Sequence, residues 1–370
     1  MNSEENPVPE TPTLVKCLVW DLDNTLWRGT LLEDGEITLT DEVRSVIVAL
    51  DARGILQSIC SRNDHDHAWA RLEELGVAEY FVLPKIGWGR KSEAVHRIAD
   101  ELKFANRAIA FIDDQPAERA EVAFHLPGVR CYPAEQALSL MELPEFSPAT
   151  VTVDAQRRRQ MYQAGFRREA KQTAFTGSPE DFLRTLDLEL RVARADPAEL
   201  SRVTELTLRT SQMNATGVHY GDAALRGLLA DPGHEVLTAT LTDRFGPHGA
   251  IGVLLLATGR DRPVWHLKLL ATSCRVVAFG VGTVLLNWLA DQAAAAGVHL
   301  LADFRPTDRN RMMDIAYRFA GFTDDRCGCA DALDVPEQGV QRLHLVPGRR
   351  PAPDTLHLIA PDLSSSSVPT

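Results

Sequence analysis

The chain has no run approaching 18 uncharged apolar residues, so no transmembrane helix is expected. It has no surplus of positive charge either. Lys and Arg number 39 against 51 Asp and Glu over 370 residues, a net charge of −12, which excludes a general attraction to nucleic acid or to anionic membrane. There is no disulfide framework: the six cysteines, at 17, 60, 131, 274, 327 and 329, are scattered and only the last two are close. A Cys-x-Cys pair alone is a poor zinc signature, so Cys327 and Cys329 read as incidental, and His219, His234, His248 and His266 show no metal-ligand spacing. The opening Met1-Asn-Ser-Glu-Glu-Asn-Pro lacks the basic-then-apolar order of a secretory signal. What these absences leave is the expectation of a reduced, cytoplasmic protein of ordinary globular composition, 45% apolar and 24% charged.

The length predicts about two domains. Residues 1–13, rich in Pro, Glu and Thr, and residues 349–370, which close on Ser-Ser-Ser-Ser-Val-Pro-Thr, read as disordered tails. Within 14–147, apolar strand candidates at 14–20, 55–60 and 108–112 alternate with helical spacing over 41–53, 67–75 and 91–102. That alternation predicts an α/β fold with a parallel sheet covered on both faces, its functional residues just past the carboxyl ends of the strands. Residues 148–185 read as a linker helix carrying the basic run Arg157-Arg158-Arg159 with Arg167, Arg168 and Lys171. Such a run is most simply a solvated face, and otherwise a receptor for an acidic partner. A second α/β domain is expected over 186–348, with strands at 188–192, 235–241, 249–257, 265–270 and 299–304 and helices at 197–209, 281–296 and 310–320. Residues 1–147 hold 14 Lys+Arg against 26 Asp+Glu and the remainder holds 25 of each, so the whole carboxylate excess lies in the first domain, where it suits bound cations.

The chemistry-bearing residues fall at element boundaries. Asp21-Leu-Asp23-Asn24-Thr25 directly follows the first strand, and carboxylates two apart can enter one site while Leu22 points away. Ser61 ends the second strand, Lys91 opens a helix after a Gly-rich turn, and Asp113-Asp114 ends the 108–112 strand. Gathered carboxylates repel one another unless a divalent cation neutralises them. Mg²⁺ prefers such hard oxygens, and phosphoryl transfer needs that ion to offset moving charge.

This series resembles the four-part signature of the haloacid dehalogenase-like (HAD) phosphohydrolases over residues 14–135. The resemblance implies that Asp21 attacks phosphorus, that Asp23 acts as general acid and then base, that Ser61 contacts phosphoryl oxygens and that Lys91 steadies charge. It also implies Mg²⁺ held by Asp21 and Asp23 with Asp113 or Asp114, and phosphate or substrate contacts from Asn24, Arg62 and Asn63. No cap domain fits between Lys91 and Asp113, so the site is expected to be open unless the 26–37 hairpin or the second half covers it.

A cysteine at a strand end, as Cys60 is, ordinarily serves as a small buried hydrophobe, yet beside a lysine or a metal it can become a thiolate nucleophile. Three stretches are more specific: Val19-Trp20-Asp21-Leu22-Asp23-Asn24-Thr25-Leu26-Trp27, Ile59-Cys60-Ser61-Arg62-Asn63-Asp64 and Phe111-Ile112-Asp113-Asp114-Gln115-Pro116. They resemble the FkbH-like proteins of polyketide and antibiotic biosynthesis, a likeness extending over about 14–325. Arg62 stands where that family usually has Lys, and Gln115 where it more often has Asn. The resemblance implies conversion of 1,3-bisphosphoglycerate into a D-glyceryl thioester on Cys60, then transfer to the phosphopantetheine of an acyl carrier protein. The alternative is a plain Mg²⁺-dependent phosphatase with an accessory carrier-docking domain.

In the second half, Cys274-Arg275-Val-Val-Ala278-Phe-Gly280 before the 281–296 helix resembles the Arg-x-x-Gly-x-Gly turn of the GNAT acetyltransferase fold, with Ala278 replacing the first glycine. Pro306-Thr307-x-x-Asn310 and Gly321-Phe322 fall where that fold has its last strand and helix. The resemblance implies a GNAT-like domain contacting the pantetheine or carrier through Arg275 and Asn310, together with Gln212 and Asn214, which resemble a Gln-x-Asn stretch of the FkbH-like proteins.

Overall fold

The structure, a computed structural model, describes residues 13–364 apart from 35, 149, 198–199, 210–212, 260–263, 326 and 351–352. The chain forms two compact units, residues 1–163 and 164–370, which divide inside the helix Arg158–Thr173. Both are α/β, as expected.

The first unit is built on strands β1 (Cys17–Trp20), β2 (Leu56–Ser61), β3 (Lys85–Ile86), β4 (Ile109–Asp113) and β5 (Arg130–Pro133), all parallel in the order β3-β2-β1-β4-β5. Every residue of β1, β2 and β4 is buried, the signature of central parallel strands covered on both faces. The helix Asp41–Ala52 starts where Thr40 Oγ1 accepts from Val43 N, and it buries Val46, Ile47 and Leu50. Trp20 lies level with Ile59 and Ile112 on either side, so the residues that follow emerge together along one carboxyl edge of the sheet. β3 and β5 were not expected. The first is two residues long and the second ends in Pro133, so neither carries a readable periodicity.

The second unit holds β6 (Leu188–Arg194), β7 (His234–Asp243), β8 (Gly246–Ala257), β9 (Val264–Thr272), β10 (His299–Phe304), β11 (Gln341–Leu345) and β12 (Leu356–Ile359), in the order β11-β10-β9-β8-β7-β6-β12. β6 to β9 pair antiparallel, and the helix Val281–Ala296 carries the chain from β9 to its parallel neighbour β10. Trp288, Leu285 and Leu289 of that helix pack into the core beside Tyr317 and Phe322. Gly280 and Gly297 bracket it at φ 69°, a left-handed conformation that glycine adopts without a Cβ penalty.

Two expectations are corrected. Within 349–370, β12 extends the sheet by pairing in parallel with β6, Leu363 is buried, and Arg350 donates to Asn287 Oδ1 at 2.9 Å. A Pro- and Ser-rich composition masked a four-residue strand. The basic run is not simply a solvated face: Arg159 is bonded to Asp51 at 3.0 Å, Arg158 to the Gly54 carbonyl at 2.6 Å, and Arg168 to the buried Asp243 at 2.5 Å. No helix among the described residues is long and apolar enough to cross a membrane.

Candidate active site

Asp21 leaves the end of β1, and its backbone N–H donates to the Ile112 carbonyl at 3.0 Å, which fixes it against the end of β4. Lys91, at the first turn of the helix Lys91–Leu102, brings its ammonium into this edge with only 2% of its side chain exposed. Lys91 Nζ bonds Asp21 Oδ1, reaches Asp113 Oδ2 at 2.9 Å and Glu118 Oε2 at 3.0 Å, and donates to the Cys60 carbonyl at 3.0 Å. Glu118 in turn holds Arg62 at 2.8 Å. Burial lifts the Asp21 carboxyl to about 6, with Lys91 opposing and Asp113 adding to the rise.

The carboxylates of Asp21, Asp113 and Asp114 place one oxygen each within 4.8 Å of one another. Asp113 has both oxygens engaged, Oδ2 by Lys91 and Oδ1 by the Gln115 N–H at 2.8 Å. Asp114 Oδ1 is buried with no hydrogen-bond partner. An orphaned carboxylate oxygen is costly unless something cationic meets it. Asp21, Asp113, Asp114 and Glu118 gather around Lys91, Arg62 and Arg119, so carboxylates outnumber cations there, and a bound cation would relieve their repulsion. An all-oxygen set of this kind fits Mg²⁺. Of the two candidates at the end of β4, Asp114 is therefore the one with an oxygen open to the ion.

Asp23 is placed differently from the expectation that its carboxylate joins the metal cluster. Its Oδ1 accepts from Trp27 Nε1 at 2.8 Å and from Leu31 N at 3.1 Å, and its Oδ2 accepts from Asn63 Nδ2 at 3.0 Å. Asn63, buried and capped onto Asp64 N, orients Asp23. Asn24 sits at φ 54° and takes the Gly29 N–H at 3.1 Å, closing the turn after Asp23. Ser61 ends β2, 3% exposed. Sequence reasoning missed Glu118 and Thr25, whose hydroxyl accepts from Asp114 N at 2.9 Å. An acid in the first turn after Asp-Asp-Gln-Pro was the available sign of Glu118.

Cys60 is 2% exposed and its sulfur lies 3.7 Å from the Lys91 carbonyl. Burial pushes its thiol up to about 12, only partly offset by Lys91, so it is protonated at neutral pH in this arrangement. With Ser61 and the cationic Arg62, Lys85, Arg90, Lys91 and Arg97 it lines a cavity of about 180 Å³.

In the second unit, residues 274–279 form a 3₁₀ turn capped by Ser273, and Arg275 Nε turns back to Ser273 Oγ at 3.2 Å. An apolar cavity of about 200 Å³ lies beside it, lined by Val276, Gly280, Gly282, Met312 and Phe319. Asn214 and Asn310 are not placed to meet a ligand. Both are 1% exposed, Asn310 Nδ2 donates to the Asn214 and Arg305 carbonyls at 3.1 and 2.9 Å, and Asn214 Oδ1 accepts from Gly217 N at 2.8 Å. Gln212 lies outside the described residues.

Fold and site together define an α/β protein with a carboxylate–lysine centre at the carboxyl edge of a parallel sheet. Among solved structures, the chain is similar to the N-terminal part of a Bacteroides fragilis protein containing a phosphatase domain complexed with Mg, at 27% identity over 36% of this chain and 40% of that one, with a TM-score of 0.34. The chain thus spans well under half of that relative's length. It is also similar to the cobalt-bound deoxy-D-mannose-octulosonate 8-phosphate phosphatase of Haemophilus influenzae, at 20% identity over 32% and 68%, TM-score 0.28. A third likeness is to a Salmonella typhimurium putative acetyltransferase with acetyl-CoA, at 17% identity over 42% and 92%, TM-score 0.30. No protein-family model and no curated protein matches the sequence.

Proposed function

We propose that the chain is a Mg²⁺-dependent phosphatase working at Asp21 on a small phosphorylated acid. The observation that carries this reading is the buried Lys91 ammonium, shared by Asp21, Asp113 and Glu118, with Asp114 Oδ1 left over for an ion. When bound, the ion would offset charge on the transferring phosphoryl group. Asp21 attacks phosphorus, and Lys91 steadies the oxygens around it. Asp23, oriented by Asn63 and Trp27, gives a proton to the leaving oxygen and then takes one from the water that hydrolyses the aspartyl-phosphate. The test is phosphate release from acetyl phosphate with Mg²⁺, with a phosphorylated protein trapped by intact mass. Asp21→Asn should abolish both, and turnover in that variant would overturn the reading.

The cationic cavity beside Cys60 favours a fuller reading, in which the substrate is 1,3-bisphosphoglycerate and the product a D-glyceryl thioester. The Cys60 sulfur bonds the acyl carbon as its bond to the phosphate oxygen breaks, and the thiol proton leaves with the phosphate. The 3-phosphate is hydrolysed at Asp21, before or after this step. The phosphopantetheine thiol of an acyl carrier protein then takes the glyceryl group and returns a proton to Cys60. Incubation with bisphosphoglycerate, Mg²⁺ and a phosphopantetheinylated carrier should add a glyceryl mass to the carrier with wild type and not with Cys60→Ala. Phosphate release without a carrier adduct restricts the protein to the phosphatase reading.

A further inference from the structure

The second unit gathers a set of soft donors that the sequence hides. His299 opens β10 and His344 lies on β11, where it stands opposite Leu301 in the antiparallel register. His299 and Leu301 share a face because side chains alternate along a strand, so the two imidazoles are diagonal neighbours on one side of the sheet. Their rings are 5.1 Å apart, and His344 Nε2 lies 3.0 Å from His299 Nδ1. The chain after Phe322 returns to the same place. Thr323 exchanges two backbone hydrogen bonds of 2.8 Å with His344, which delivers the following turn to the histidine pair. Cys327 Sγ is 3.5 Å from His299 Nδ1, and Cys329, in the turn Gly328–Ala332, lies within hydrogen-bonding reach of Cys327.

We propose that His299, Cys327, Cys329 and His344 form a structural zinc site. All four donor atoms lie within 4.8 Å of one another. A tetrahedral zinc with ordinary Zn–N and Zn–S lengths has ligand-to-ligand edges of about 3.3–3.8 Å, and the His299–Cys327 separation falls on such an edge. Two thiolates and two imidazoles are a softer set than the carboxylates around Asp21, so the two places select different metals. The Cys-x-Cys pair does not announce such a site in sequence, because the two histidines that complete the set come from β10 and β11, at distances that no spacing motif links to Cys327 and Cys329.

The site also has a structural use. Asp303 and Arg342, bonded to each other at 3.3 Å, lie further along the same face of β10 and β11 and line a cavity of about 690 Å³. Leu333, Pro336 and Val340, which follow the Cys-x-Cys turn, form part of its wall. An ion tying Cys327 and Cys329 to the two strands would brace that wall against the sheet, as a cross-link between elements far apart in sequence.

The full chain purified without chelator should carry one zinc per molecule by elemental analysis. After zinc is displaced with a mercurial reagent, the mercurial is exchanged off the cysteines with excess dithiothreitol and the small molecules are removed, added Co²⁺ should give the intense visible bands of tetrahedral thiolate-bound cobalt. Cys329→Ser and His344→Asn should each weaken zinc retention in a competition with a chromophoric chelator by tenfold or more. The cobalt spectrum is read on the unaltered protein, so a misfolded variant does not spare the proposal. It is overturned if the chain binds neither zinc nor cobalt, if the cobalt spectrum lacks thiolate character, or if intact mass finds Cys327 and Cys329 joined as a disulfide in freshly purified protein.

Discussion

Glu118 Oε2 stands 3.0 Å from the Lys91 ammonium. With its other oxygen 2.8 Å from Arg62, this one carboxylate fixes both cations of the site from the first turn of the helix Pro116–His125. Glu118→Gln keeps the size and removes the charge. A hydrogen bond to a charged group is worth about 1.5–3 kcal/mol, so Mg²⁺-dependent phosphatase turnover is expected to fall by about ten- to a hundredfold. The far-ultraviolet circular dichroism should be unchanged. Turnover equal to wild type would show that Lys91 needs no third carboxylate.

Asp114 makes a prediction with opposite signs in two conditions. Its Oδ1 is buried without a partner, so the metal-free protein carries an uncompensated acceptor there. Asp114→Asn should leave the metal-free first unit as stable as wild type or more so. The same change should remove most of the stabilisation that Mg²⁺ confers, since a ligand stabilises the folded state only once its concentration exceeds its dissociation constant. Thermal unfolding with Mg²⁺ and with EDTA checks both halves. An equal Mg²⁺ shift in both proteins would move the ion away from Asp114.

Lys91→Met removes the cation from among Asp21, Asp113 and Glu118, each less than a tenth exposed. Breaking a buried pair by deleting one partner typically costs about 3–5 kcal/mol, because the remaining charge has lost its compensation. Urea unfolding of the first unit should show a loss of this order. A loss under 1 kcal/mol would mean that water reaches the carboxylates freely.

How much of this could be read beforehand follows from where the information lies. Asp21, Ser61 and Asp113 were legible because each falls at the carboxyl end of a largely apolar strand, and the helix Lys91–Leu102 was found at its actual bounds from its periodicity. The role of Asn63 was not, because a buried amide that orients a neighbour looks in sequence like one that binds substrate. Asn214 and Asn310 misled for the same reason: the Asn310 amide ties to the Asn214 and Ala215 carbonyls, 96 and 95 residues away in sequence, while the Asn214 amide closes its own loop through Gly217 N. The four donors around His299 illustrate the limit most clearly. Their proximity is created by the pairing of β10 with β11, and no local pattern encodes a register between distant strands.

Leu363 is 1% exposed and Leu356 7%, and burying such a side chain stabilises by about 1.5–3 kcal/mol. Ending the chain after Gly348 would remove both, together with β12 and the Arg350 contacts to Asn287 and the Ala320 carbonyl. The second unit should then unfold at a clearly lower urea concentration, with a larger exposure of apolar dye-binding surface. An unchanged midpoint would return these residues to the status of a tail.

Asp243 governs the acid response of the second unit. Its side chain is fully buried, and although burial alone would raise its carboxyl, hydrogen bonds from His248 and Arg168 bring it well below the usual carboxylate range. A depressed folded-state value means the unfolded chain binds the proton more readily, so this stability is present above about pH 4 and is lost as pH falls below it. Burial lowers His248 below its ordinary value, despite the opposing bond to Asp243, which adds a loss of the same sign beginning near pH 6.5. Acidification should therefore weaken the second unit in two stages. Asp243→Asn should be less stable than wild type at pH 7 by about 3–5 kcal/mol, and the difference should begin to shrink below pH 4 as the unfolded wild-type chain takes up a proton that the folded carboxylate does not. Urea unfolding at pH 7, 5 and 3.5 follows both curves, and a difference that stays constant across that range would place the stabilisation elsewhere than in the ionised carboxylate.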